Sequence, residues 1–246
     1  MNIGIIIQAR LSSTRLPNKI LLDFCNGNNI LEVLYERLSK NTDYPVIIAT
    51  TTNENDTVLV DFLQQKNIPY YQGSELDVLS RFIKTAEHFK LTHIIRVCSD
   101  NPFLYPDYIE KMVEILLEHV NIDYVSFKIA EKPSILTHYG FFSELVSLNA
   151  LNIANKTNGS YHHEHVTSYI YNNESEFNIR WIGVNKTLED NEHIRLTVDD
   201  DTDFMIAKRI YKITGELFDP ESITKMINSN LEIKRLMAQQ ITKYIK

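Results

Sequence analysis

Residues 8–19 read Gln8-Ala9-Arg10-Leu11-Ser12-Ser13-Thr14-Arg15-Leu16-Pro17-Asn18-Lys19, and they follow directly on the apolar run Ile3-Gly4-Ile5-Ile6-Ile7. A short β-branched run that passes straight into a polar loop reads as a buried strand and the loop at its end. The first acidic residue is Asp23, so Arg10, Arg15 and Lys19 form a concentrated positive loop in a chain whose net charge is −7. Guanidinium forks and an ammonium match phosphate oxygens. The hydroxyls of Ser12, Ser13 and Thr14, with neighbouring backbone N–H groups, complete an anion-binding loop. The plainer alternative is a solvated basic loop. Position argues against it, because ligands of open α/β sheets bind beyond the carboxyl ends of the strands.

Outward from this loop the chain alternates. Apolar positions 30, 31, 34, 35 and 38 mark a helical face, and 46–51 is strand-like. Val58, Leu59, Phe62 and Leu63 form the next helical stripe, 68–71 a short strand, and 78–88 a helix capped by Ser74 or Asp77. Residues 94–97 and 109–118 repeat the pattern. Strand and helix in this order predict an α/β fold: a mostly parallel twisted sheet with helices on both faces. Residues 124–184 are less regular, with strand-like pieces at 124–127, 141–148 and 177–182 and a polar stretch at 155–160. They predict a small antiparallel insertion, for acceptor binding or dimerisation, within a single domain 1–246. A core strand at 194–198, a helix at 204–211 and an amphipathic helical tail at 221–246 complete the expectation.

Composition bounds the function. With 246 residues, 43% hydrophobic and only Cys25 and Cys98 as cysteines, the chain is neither a fibre nor a disulfide scaffold. No apolar stretch spans a bilayer, and the N-terminal run is too short for a secretory signal, so a cytoplasmic protein without a membrane partner is expected. The negative net charge disfavours a nucleic-acid partner. No G-x-x-x-x-G-K-[ST] and no G-x-G occurs, which disfavours a P-loop NTPase and a typical dinucleotide-binding domain.

Two acidic sites follow strand-like runs: Asp100, and the group Asp199, Asp200, Asp201 and Asp203. A triphosphate across the sheet edge meets cations on one side and hard oxygen ligands for Mg²⁺ on the other. Asp201 and Asp203 are assigned to helix capping, leaving Asp199 as the second metal candidate. An EF-hand fails, since Phe204 and Ile210 stand where Gly and Glu are needed. In Tyr161-His162-His163-Glu164-His165-Val166-Thr167 no zinc pattern supports His162 and His165, so substrate contacts or a subunit surface are preferred.

The run from Ile5 to Lys19 resembles the opening loop of bacterial cytidylyltransferases of the spore-coat polysaccharide type, related to CMP-sialate and CMP-Kdo synthetases. The likeness continues, in order, through Ala49-Thr50-Thr51, the segment Gly73 to Arg81, Arg96 to Pro102, Glu164-His165-Val166-Thr167 and Arg195-Leu196-Thr197-Val198-Asp199. It implies a Rossmann-like nucleotidyltransferase that moves CMP from CTP to a sugar acid or related acceptor, acting as a homodimer. Arg10, Arg15, Lys19 and Asp100 would be catalytic. Nucleotide contacts would come from Ala9, Arg10, Leu11, Ser12, Arg15, Lys19 and Ser99, with Ala49, Thr50, Asp77 and Arg81 around the cytosine and ribose. Asn101, Glu144, Glu164 and His165 would meet the acceptor, and Asp100 and Asp199 would hold Mg²⁺. Phe142 replaces an acid common in the family, implying a less polar or smaller acceptor. Two alternatives stand beside this reading: another nucleotide with a sugar phosphate, and a non-catalytic nucleotide-binding subunit.

Overall fold

The computed structural model describes every residue except Val120, Asn158, Leu217, Ile245 and Lys246. Ten strands form among the described residues: β1 (Ile3–Gln8), β2 (Asp23–Cys25), β3 (Asn28–Asn29), β4 (Val46–Thr51), β5 (Tyr70–Gly73), β6 (His93–Cys98), β7 (Tyr124–Ile129), β8 (Lys132–Pro133), β9 (Glu144–Ser147) and β10 (Ile179–Gly183). The helices are α1 (Ile30–Asn41), α2 (Thr57–Gln65), α3 (Val78–His88), α4 (Pro106–Glu118), α5 (Leu148–Ala154), α6 (Ser160–Glu164), α7 (Ser168–Asn172), α8 (Lys186–Glu189), α9 (Asp201–Thr214), α10 (Pro220–Ser229) and α11 (Leu231–Tyr244). The main sheet runs β10-β7-β9-β6-β1-β4-β5, with β8 paired to β7.

The period of two in the apolar strands puts helices on both faces. Ile5 and Ile7 of β1, with Ile95 and Val97 of β6, join the core shared with α1, α4 and α9. Ile6, Ile94 and Ile47 point the other way, into the core shared with α3 and α5. Cap chemistry fixes the helix starts. Asn29 and Glu32 form a reciprocal capping box on α1, and Asp77, one of the two residues expected there, caps α3 by accepting from Ser80 N.

Beyond α4 the expectations need correction. The antiparallel strands expected in the middle region are present as β9 and the short β8, but they extend the main sheet, and β10 pairs with β7 in parallel. Residues 141–143 lie outside the strand expected at 141–148. The segment 194–198 is extended and buried but joins no ladder. Its amides bond singly, Leu196 N to the His138 carbonyl and Val198 N to the Asp100 carbonyl, both at 2.8 Å. Alternating Ile194, Leu196 and Val198, all buried, account for the strand-like pattern. Asp200 caps α9 by accepting from Asp203 N, whereas Asp203 itself holds Arg195, so the capping assigned to Asp201 and Asp203 falls to Asp200. The tail is two helices, split at Asn230, whose carbonyl oxygen Oδ1 accepts from Ile233 N and starts α11. Asn158 in the polar stretch 155–160, and the last two residues of the tail, lie outside the described residues.

Candidate active site

Strands β1, β4, β5 and β6 are parallel, so the segments after β1 and β6 open on one edge. The first loop is fastened there by apolar anchors and backbone bonds. Leu11 and Leu16 are buried, and Leu11 N donates to Oδ1 of the fully buried Asp56 at 2.6 Å. Asn18, in the left-handed region, donates to the Leu11 carbonyl and closes the turn. The amides of Ser12, Thr14 and Arg15 have no protein acceptor among the described residues. Free amides in a fixed loop are what an anion-binding turn presents.

The Val198 N to Asp100 carbonyl bond brings the 194–198 segment against the β6 loop and sets Asp199 beside Asp100. Lys19 Nζ stands between the two carboxylates, 3.4 Å from Asp100 and 4.0 Å from Asp199, and donates to the Val198 carbonyl at 2.6 Å. Arg15 reaches Asp199 at 2.8 Å, and Arg195 holds the other oxygen of Asp199 at 2.7 Å. Arg10 has no carboxylate within ion-pair distance among the described residues.

These groups line a cavity of about 320 Å³ whose walls carry Arg10, Arg15, Lys19, Arg81 and Arg96 against Asp100, Glu164 and Asp199. Five cations against three carboxylates leave an excess of positive charge for an anionic ligand. Of the residues expected in the site, Ala9, Ser12, Ser99 and His165 also line it. Two larger hollows carry none of them: one of about 550 Å³ beside Arg37 and Phe218, and one of about 920 Å³ at the amino ends of the strands.

Six expected residues stand back from the cavity. Leu11 is an anchor. Ala49 and Thr50 are buried in β4, and the Thr50 hydroxyl has no partner among the described residues. Asp77 caps α3 and bonds His163 Nδ1 at 2.9 Å. Asn101 is buried in the turn after Asp100. Glu144, expected at the acceptor, is corrected to an internal counter-ion: 1% exposed, it accepts from Arg96, Tyr124 and Thr167. Phe142 packs in the core, stacked on Tyr108 at 5.2 Å, so its apolar side chain says nothing of the acceptor.

The sequence reading missed several contributors. Arg96 lines the cavity, also donating to Gln8 Oε1 at 3.2 Å, and its signal was a lone charge inside the buried run Ile94-Ile95-Arg96-Val97. Burial alone would lower its pKa, but the negative charge around it, Glu144 foremost, raises it further. Cys98 contributes little charge, because burial pushes its thiol up to about 11. Asp56 and Glu75 carry no local signal. Glu75 accepts from Ser12 Oγ at 2.6 Å and from Asn53, bonds that hold its carboxyl below the usual range. Among the residues already expected, Arg81, 2% exposed, donates to the Ser74 carbonyl; burial and the nearby Arg10 bring it down to about 10. Burial also lowers His165, which favours its neutral imidazole.

A mostly parallel α/β sheet with a cation-rich first loop and paired carboxylates at its carboxyl edge defines a nucleotidyltransferase. A family model described as cytidylyltransferase matches residues 4–238, and the chain belongs to that family of enzymes. It is 30% identical to the spore coat polysaccharide biosynthesis protein SpsF of Bacillus subtilis, over 92% of this chain and 93% of the relative. Among solved structures it is similar to a cytidylyltransferase from Leptospira borgpetersenii (TM-score 0.84, 25% identity, 95% and 96% of the two chains covered). A CMP-2-keto-3-deoxy-manno-octonic acid synthetase in complex with CTP shares the fold (TM-score 0.66, 16% identity, 87% and 99% covered). No helix among the described residues is long and apolar enough to cross a membrane.

Proposed function

We propose that this enzyme transfers CMP from CTP to an oxygen of a sugar acid or related acceptor and releases pyrophosphate, in the making of a surface polysaccharide or other glycan. The observation that carries the reading is the convergence of Lys19, Asp100 and Asp199, with Arg10 and Arg15 beside them, at the carboxyl ends of β1 and β6. The names of the relatives support cytidine as the base and polysaccharide synthesis as the setting.

The chain's own groups do the following. The free amides and cations of the first loop bind the triphosphate, and Arg10, Arg15 and Lys19 neutralise charge on the departing pyrophosphate. The acceptor oxygen attacks the α-phosphorus as the bond to the β-phosphoryl oxygen breaks, and a hydroxyl acceptor gives its proton to water. Glu164 and His165, which also line the cavity, orient the acceptor. Positioning supplies most of the acceleration, since no protein nucleophile is needed.

The donor set fits a bound Mg²⁺. Asp100 and Asp199 are hard oxygen ligands at one place, and the Lys19 ammonium between them marks a locus for positive charge. Among the described residues no three His, Cys, Asp or Glu side chains form a metal cage. Magnesium suits such a site, since it is commonly held by one or two carboxylates with phosphate oxygens and water completing the shell. Bound there, Mg²⁺ supplies charge neutralisation at the phosphates.

Asp100→Asn tests the assignment. Turnover, followed as pyrophosphate release, is expected to fall by far more than tenfold, about 1.4 kcal/mol, while the Tm changes little. A variant that keeps more than about a tenth of wild-type kcat removes Asp100 from this role.

A further inference from the structure

The last turn of helix α11 reaches the active site. Helix α11 packs on α9, and three of its side chains converge on the α9 cap. Gln240 donates to Asp200 Oδ1 at 2.6 Å, Lys243 reaches Asp200 Oδ2 at 2.7 Å, and the Tyr244 hydroxyl donates to the same oxygen at 2.8 Å. With its hydroxyl held there, the Tyr244 ring lies under two guanidiniums: Arg15 at 4.8 Å from the ring centroid and Arg195 at 4.9 Å. These two arginines grip opposite oxygens of Asp199. Arg15 is 46% exposed at its side chain, and its ion pair with Asp199 and its stacking on this ring are its side-chain polar and ring contacts among the described residues. Tyr244 also lies beyond the segment matched to the family.

The geometry points to Tyr244 as a positioning residue for Arg15, through which the C-terminal helix sets the affinity of the site for the nucleotide triphosphate. A long arginine on a loop loses rotamer freedom when it binds phosphate. An aromatic face that holds the guanidinium beside the cavity removes part of that loss in advance. Asp199 alone cannot supply this, because it draws Arg15 toward the carboxylates. The ring offers a second support that does not compete with phosphate for the guanidinium's N–H donors. Gln240 and Lys243 hold α11 on the α9 cap, and the helix so held carries the ring to Arg15, so this support requires the helix docked on α9.

The inference rests on the proposed role of Arg15 toward the triphosphate, and the experiment separates the two. The readout is the Kd of the full-length protein for CTP with Mg²⁺, by calorimetry, with Tm recorded for each variant. Tyr244→Leu, which keeps bulk without the aromatic face, is expected to weaken CTP about 5-fold, and Tyr244→Phe to stay within about twofold of wild type. Arg15→Ala is expected to weaken CTP by more than Tyr244→Leu does. Adding Tyr244→Leu to Arg15→Ala should then change Kd little, because the two act as one unit. An unchanged Kd in Arg15→Ala overturns the role of Arg15 and the inference with it. A full 5-fold loss from Tyr244→Leu in the Arg15→Ala background, or equal losses in the Leu and Phe variants, leaves Arg15 in place and overturns the inference alone, since a general loosening of the helix would act in that way.

Discussion

The two walls of the cavity are built on opposite plans. The first loop is positioned mainly by buried leucines and by backbone bonds to Asp56 and within the turn, and its cations line the cavity: Arg10 with no ion pair among the described residues, Arg15 on Asp199, and Lys19 on Asp100, Asp199 and the Val198 carbonyl. The far wall is positioned by its charges. Arg96 is tied to Glu144, and behind Asp199 the fully buried Arg195 side chain is tied to Asp203. Both far-wall arginines are paired out of water, and such pairs contribute structure more than binding. The lesson is that the same residue type serves recognition where the backbone supplies the framework, and serves the framework where the backbone is irregular.

This contrast predicts that substitutions in the far wall lower stability, whereas those in the first loop lower affinity. The largest effect is expected for Glu144→Ala. It strands the Arg96 charge and removes the acceptor for the Tyr124 and Thr167 hydroxyls, at a cost of about 3–5 kcal/mol. For a chain of this size that lowers Tm by roughly 6–20 °C in a thermal melt. A fall of under about 2 °C breaks the contrast from the structural side. Next comes Lys19→Ala. A lost charge-assisted donor at a phosphate weakens CTP binding by about 10- to 100-fold, while Tm in the absence of nucleotide stays within about 2 °C of wild type. Unchanged affinity with a large loss of Tm would place Lys19 with the framework residues.

The smallest effect belongs to the surface pair His163–Asp77, which ties α6 to the start of α3. The Thr157 carbonyl and Asp77 raise the His163 pKa above its usual value. A raised folded-state pKa means that its stabilisation is fully present below the unfolded value near 6.5 and is lost as pH rises through the higher folded value. Because the pair is partly exposed, the stability gap between wild type and His163→Gln is expected to stay under about 1 kcal/mol at pH 6 and to close by about pH 9. A gap that widens with pH contradicts the assignment.

The same contrast explains what was legible in the sequence. The order of β1, β4, β5 and β6 and their helices followed from apolar period and local caps, because each depends on neighbours within a few residues. The basic loop was equally plain, as its cations stand together. The far wall was not. Arg96 meets Glu144 across 48 residues and Tyr244 meets Asp200 across 44, and even the first loop's anchor on Asp56 lies 45 residues from Leu11. No local pattern marks such pairs. Sequence alone, through the family resemblance, reads Glu144 as an acceptor contact, and it reads 194–198 as a strand, since its alternating burial is the same as a strand's. Phe142 was read as facing the acceptor for a like reason: the sequence shows the missing acid but not the aromatic cluster that takes its place.

The first loop and the paired aspartates are the proposed CTP site, with Mg²⁺ as its metal. Thermal unfolding with CTP, UTP, GTP and ATP, each with and without Mg²⁺, tests it without knowledge of the acceptor. At about 100 times its Kd, CTP with Mg²⁺ is expected to stabilise the protein by about 2.7 kcal/mol, a rise of roughly 5–10 °C in Tm. The other nucleotides are expected to shift it less, and omission of Mg²⁺ to reduce the CTP shift. A larger shift with another nucleotide would contradict the assignment of the base, and no shift with any of the four would contradict the site itself.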